Sequence, residues 1–208
     1  METFETPKIR RDWTMTMNED IFIYQLDHSD TIISISANWS AFANQNAWSG
    51  SLRPEEVVGH KLWDFIQGIE MRHLYQELIR RVRMGVPSRV ISFRCDSPGE
   101  RRFLELFIEA LPENLIEITS RILRKESRSP MRLLGTDAPR STGKVSICSM
   151  CKKVKVAPEK WVELEEGVVS LKIFDEDEMP QLSHGLCHPC YQEAMRELDD
   201  TKTPQSCH

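Results

Sequence analysis

No stretch of this 208-residue chain approaches the roughly 20 consecutive apolar residues that a membrane-crossing helix needs, so no transmembrane helix is expected. The start, METFETPKIRRDW, lacks the apolar core of a secretory signal. The expected location is therefore the cytoplasm, where thiols stay reduced. A basic face is also missing. Up to Ser129 there are 17 Lys+Arg against 19 Asp+Glu, the remainder has 10 against 13, and the net charge is -5. Binding to nucleic acid needs cationic surface to neutralise phosphates, so nucleic acid is not an expected partner. There is no phosphate-binding glycine loop, no nucleotide-binding kinase lobe, and no room for a cyclase or phosphodiesterase domain. An enzyme is not expected. Internal repeats and low-complexity tracts are absent too.

What is present reads as a folded protein: 40% of residues are apolar and 28% charged. The length suits one ordinary domain plus a small one. Residues 21–27, IFIYQLD, set Phe22, Tyr24 and Leu26 on one face at period two, and TIISISANW repeats the pattern through Ile33, Ile35 and Ala37. Two such runs about a short polar connection predict a hairpin. Helical patches follow over 40–67, and MRHLYQELIRRVRM predicts a helix whose stripe is Met71, Leu74, Tyr75, Leu78 and Val82, with Gly85 as its C-cap. Residues 88–96, 101–111 and 115–123 predict three more strands joined by turn-forming clusters. The fold class is α+β: a five-stranded antiparallel sheet with helices on one face.

Six cysteines in a reducing compartment argue for metal ligation or free thiols rather than disulfides. ICSMC places Cys148 and Cys151 in one C-x2-C turn, and CHPC places Cys187 and Cys190 in a second after 35 intervening residues. Each turn aims two sulfurs at one spot, and two such turns complete a closed tetrahedral thiolate site, so one structural zinc per chain is expected. The gap must hold structure of its own, and a helix is predicted over 161–171, with a closing helix over 191–198. His184 and His188 lie close enough to ligate, or to hydrogen-bond a thiolate without ligating. Cys207 reads as a free thiol, Cys95 as a small apolar strand residue, and the acidic run 175–178 as a solvated loop. A thiol redox switch using Cys148 and Cys151 is the competing reading of the first pair.

Taken together, the hairpin YQLDHSDTIISISANWSAFA, the GHKLWDFI turn and the three closing strands resemble a PAS domain over about 20–126. The resemblance implies a sheet curled around helices, a pocket for haem, flavin or a small metabolite, and signalling often tied to dimerisation. The expected pocket lining is Tyr24, Ile33, Ile35, Trp63, Phe65, Leu74, Leu78 and Phe93. A flavin photosensor is not expected, because no cysteine lies between Ser40 and Gln67. For haem the candidate axial ligand is His73, but at about 100° per residue it points away from the apolar stripe, so haem is not expected. Separately, ICSMCKK, WVELEE and SHGLCHPC resemble a module found at the C-terminus of many bacterial PAS-containing and receiver-containing signalling proteins. His188 stands where that pattern usually has proline, which leaves the sulfur spacing intact.

The expected organisation is an N-terminal extension at 1–19, the sensor domain at 20–126, a linker at 127–146 with a short packed segment at 131–134, the zinc-binding module at 147–198 and a tail at 199–208. The expected function is a non-catalytic bacterial signal-sensing or adaptor protein that acts through a protein partner, with a homodimer formed through the PAS domain. A zinc-ribbon-like transcription regulator is the alternative, weakened by the acidic charge.

Overall fold

Alternating apolar residues build the first sheet. The computed structural model describes residues 20–39, 53–86, 90–173 and 176–200, without the side chains of residues 197, 199 and 200. The N-terminal extension, the predicted helical patch over 40–52, Asp175 and Cys207 lie outside the described residues. Strands β1 (Ile21–Leu26), β2 (Ile32–Ile35), β3 (Ile91–Arg94), β4 (Glu100–Ala110) and β5 (Ile116–Ser127) form an antiparallel sheet in the order β2-β1-β5-β4-β3. On one face Phe22, Leu26, Leu104, Leu106, Ile108, Ile116 and Ile118 are buried, as period-two side-chain direction requires.

Among the described residues, β2 is followed by the single turn α1 (Pro54–Val57) and the long α2 (Ile69–Arg83). Met71, Leu74, Leu78, Ile79 and Val82 of α2 bury against the sheet at i, i+3 and i+4 spacing. Gly85 ends α2 with φ +84; its N–H bonds Val82 O and that of Val86 bonds Arg81 O, a Schellman closure that a left-handed glycine makes possible. The predicted stripe is present, and Ile79 extends it.

The β1–β2 hairpin turns on Asp27. Its Oδ1 accepts the backbone N–H of Ser29 (2.8 Å) and of Thr31 (2.9 Å) and the Ser29 hydroxyl (2.9 Å). The Thr31 bond foremost holds this carboxyl at about 2 instead of 3.8. A depressed carboxyl stabilises the fold above its ordinary pKa, and that support fades as pH falls from about 4 toward 2. The Ser29 and Thr31 amide resonances are therefore expected to titrate with a midpoint near 2. A midpoint near 4 would show that these bonds do not form in solution.

The hairpin register slips between Gln25 and Leu26, where Gln25 pairs with Ser34 but Leu26 with Ile32. Ile33 is the residue left over. It was expected on the pocket side, but the bulge turns it outward to 41% exposure and puts Ile32 in the core.

The segment 127–146 is not the linker its Pro, Gly and Ser content predicts. The expected packed segment is there, with Met131 and Leu133 buried around a 3-10 turn at Arg132–Leu134, but β5 runs to Ser127 and β6 (Arg140–Cys148) begins inside the stretch. β6 pairs antiparallel with β7 (Val154–Ala157), which pairs with β8 (Lys160–Val162), and parallel with β9 (Met179–Gly185), giving a second sheet ordered β8-β7-β6-β9. The helix predicted over 161–171 is shorter than expected. Trp161 belongs to β8, and α3 spans Leu164–Ser170 because the chain must first complete the β7–β8 pair. The closing helix α4 (His188–Asp200) starts three residues before the predicted 191.

Gly167 lets α3 lie directly on β7: a Cβ there would stand 2.9 Å from Val154 Cβ and 3.2 Å from its Cγ1. Gly167→Ala gains roughly 0.5–1 kcal/mol of helix propensity. Overpacking against a stiff strand valine costs about 1–3 kcal/mol, so a net loss is expected. A lowered urea midpoint measures it; an unchanged or raised midpoint would mean the contact is looser than this.

Candidate metal centre

Both cysteine pairs arrive at one point because β6 and β9 run parallel. Ile147 stands opposite His184 and Cys148 opposite Gly185, so the strands deliver the two turns at the same end of the sheet. The first turn is closed by Lys152 N–H to Cys148 O (3.0 Å) and Cys148 N–H to Lys153 O (2.8 Å), with Lys152 at φ +62. Ser149 N–H donates to Gly185 O at 2.8 Å and ties it to the end of β9. The second pair sits at the start of α4, where Tyr191 N–H bonds Cys187 O at 2.9 Å. A helix N-terminus stabilises negative sulfur, and Cys187 N–H also points at Cys148 Sγ, 3.4 Å away.

The sulfur atoms of Cys148, Cys151, Cys187 and Cys190 lie within 4.8 Å of one another, with Cys151 and Cys187 Sγ 3.6 Å apart. Cys148 and Cys187 are buried and the other two half-buried. With bonds from the Cys151 and Cys190 thiols, Cys148 is pushed far toward the thiolate. The bond to Cys148 correspondingly pushes Cys151 up to about 12 and raises Cys190 further. Four sulfurs so placed fit a metal ion of tetrahedral preference.

His184 is not one of the clustered groups; it sits half-buried on β9, and burial lowers its pKa. His188 is exposed on the first residue of α4. Among the described residues the group that could hold a metal ion is therefore the four cysteines.

The expected pocket residues have a different fate. Leu74 and Leu78 are fully in the core, while Tyr24, Ile35, Trp63, Phe65 and Phe93 pack half-buried against it. His73 is exposed on α2, facing away from that core, and is not placed to hold a buried haem. A shallow cleft of about 320 Å3 opens instead beside the end of α2, walled by Asp30, Arg80, Arg83 and Asn114; of the expected lining, Trp63 alone reaches it. Cys95 is a half-buried free thiol raised by burial, beside Phe93 and Trp39. Glu176, Asp177 and Glu178 of the acidic run are exposed.

Sequence reasoning missed the charges that join the two parts. Asp96, whose side chain is 1% exposed, receives Arg94 at 2.6 Å and Arg128 at 3.1 Å. Arg94 reaches on to Glu163 (2.8 Å), and Arg101 to Glu165 (2.7 Å) at the start of α3. Burial opposes the Arg94 charge, but Asp96 and Glu163 outweigh it and hold its pKa well above the ordinary value. Arg94 and Asp96 fall on the polar positions of a predicted strand whose apolar residues are Ile91, Phe93 and Cys95, so their burial left no signal in the sequence.

No helix among the described residues is long and apolar enough to cross a membrane. No family model matches the chain, and no curated protein does. Solved structures similar to it include a domain of an HTR-like protein from Haloarcula marismortui, at 14% identity and TM-score 0.32, covering 50% of this chain and 98% of that one. A quorum-sensing receptor PAS domain from Cronobacter turicensis, in complex with C12:0, is 13% identical at TM-score 0.35, covering 50% and 95%. The photoactive yellow protein domain of a sensor histidine kinase from Rhodospirillum centenum is 16% identical at TM-score 0.35, covering 49% and 84%.

Proposed function

We propose that this chain is a non-catalytic, cytoplasmic signal-sensing adaptor of bacterial type, in which a PAS-like domain is joined to a structural zinc centre and acts through a protein partner. The cluster of four sulfurs within 4.8 Å carries the metal part of this reading. Zinc is favoured because an all-thiolate tetrahedral site with no open position suits it, and the residues that build the site do no visible chemistry otherwise. The sensor part is supported by the single antiparallel sheet with helices on one face, the arrangement that the resemblance to PAS domains implies.

Native mass spectrometry with elemental analysis tests the metal part. One zinc per chain is expected. A brown, iron-bearing chain would replace zinc by an iron–sulfur cluster, and a metal-free chain with a reversible Cys148–Cys151 disulfide would replace the structural site by a redox switch.

A further inference from the structure

The four-cysteine centre does not sit in a separate lobe. The stretch that carries its second pair grips α2 at both ends. Before the helix, Gly68 (φ +88) lies so close to β9 that a Cβ there would stand 3.1 Å from His184 O, three residues ahead of Cys187. At the other end the Arg81 guanidinium donates to Leu198 O, eight residues beyond Cys190. Between these points Ala194 and Leu198 of α4 are buried in the same core as the apolar stripe of α2. The first pair is fastened as well: Arg94 N–H of β3 donates to Met150 O at 2.7 Å, inside the Cys148–Cys151 turn, and Met150 packs on that core.

We infer that metal binding at the four cysteines and the seating of α2 on the sensor sheet are one coupled equilibrium, so that metal occupancy is read by the sensor domain and a change in the sensor domain is felt at the metal. The inference rests on the metal reading above. A metal held by Cys187 and Cys190 would fix the first turn of α4, and α4 packs against α2. Two sites joined through one packed element share a coupling free energy, and that coupling is reciprocal.

The full-length chain supplies the test in both directions. On removal of zinc with a chelator, hydrogen–deuterium exchange over residues 69–83 is expected to rise. In the reverse direction, Leu198→Asp, and the milder Arg81→Met, are expected to weaken zinc binding in competition with a chromophoric chelator by about tenfold, within the usual range for coupled sites. Val169→Asp, at a position 67% exposed on α3, should leave the affinity unchanged. Exchange over 69–83 that ignores zinc, or wild-type affinity in both Leu198→Asp and Arg81→Met, would overturn the coupling while leaving the metal site intact. A wild-type chain that takes up no zinc overturns both readings.

Discussion

Cys190→Ser is expected to abolish stoichiometric zinc and to lower the stability of the chain by several kcal/mol, out of the roughly 5–15 kcal/mol that a domain of this kind possesses. Structural zinc contributes about 10–16 kcal/mol of apparent binding free energy in small peptides that are unfolded without it. The loss here should be smaller, because Ile147, Val154, Leu164, Val168, Ile173 and Met179 give the module a core of its own. It should also spread. With α4 unanchored, Leu198 loses its seat in the core beneath the first sheet, and burial of one leucine is worth about 1.5–3 kcal/mol. Thermal unfolding with elemental analysis is the measurement. A variant retaining full metal and the wild-type melting temperature would remove Cys190 from the donor set. The same experiment on Cys148→Ser should give a loss at least as large, since that sulfur is fully buried and its strand β6 is central.

Asp96→Ala is the second large effect. It leaves Arg94 and Arg128, with side chains 10% and 5% exposed, without the carboxylate between them. Breaking a buried ion pair by removing one partner costs about 3–5 kcal/mol, mostly the penalty of the charge left behind. Arg94 keeps Glu163, and Arg128 keeps the Ser97 carbonyl at 2.8 Å, so the lower end of that range is expected. Chemical denaturation measures it. The double variant Asp96→Ala/Arg128→Met should recover part of the loss, because the stranded guanidinium goes with it. Should Asp96→Ala cost less than about 1 kcal/mol, the site would be better hydrated than its burial implies.

The first sheet was legible because burial on one face writes period two into Phe22, Tyr24 and Leu26, and period 3.6 into the stripe from Met71 to Val82. The four cysteines were legible because C-x2-C is a local turn with one geometric use. Ile33 was misread since a bulge shifts phase without changing composition. β6 was hidden because Thr142, Gly143 and Lys144 are exposed in a strand held by a parallel partner far along the chain. Polar residues in an extended segment read as linker until that partner is known. The attachment of the cysteine module to the part built on the first sheet left no pattern, because ion pairs such as Arg101–Glu165 and the Gly68–His184 approach have no periodicity.

The parallel pairing of β6 with β9 also dictates the order in which the molecule can assemble. The hairpin β1–β2 joins neighbours in sequence, whereas Ile147 meets His184 only after β7, β8 and α3 have been made and folded back. Loop-closure entropy is spent before such a distant contact returns anything, so this pairing is harder to start than the hairpin. Until it happens the first two thiols stand without the second two. The growing chain therefore carries a half-built sulfur cluster until Cys187 and Cys190 have been added.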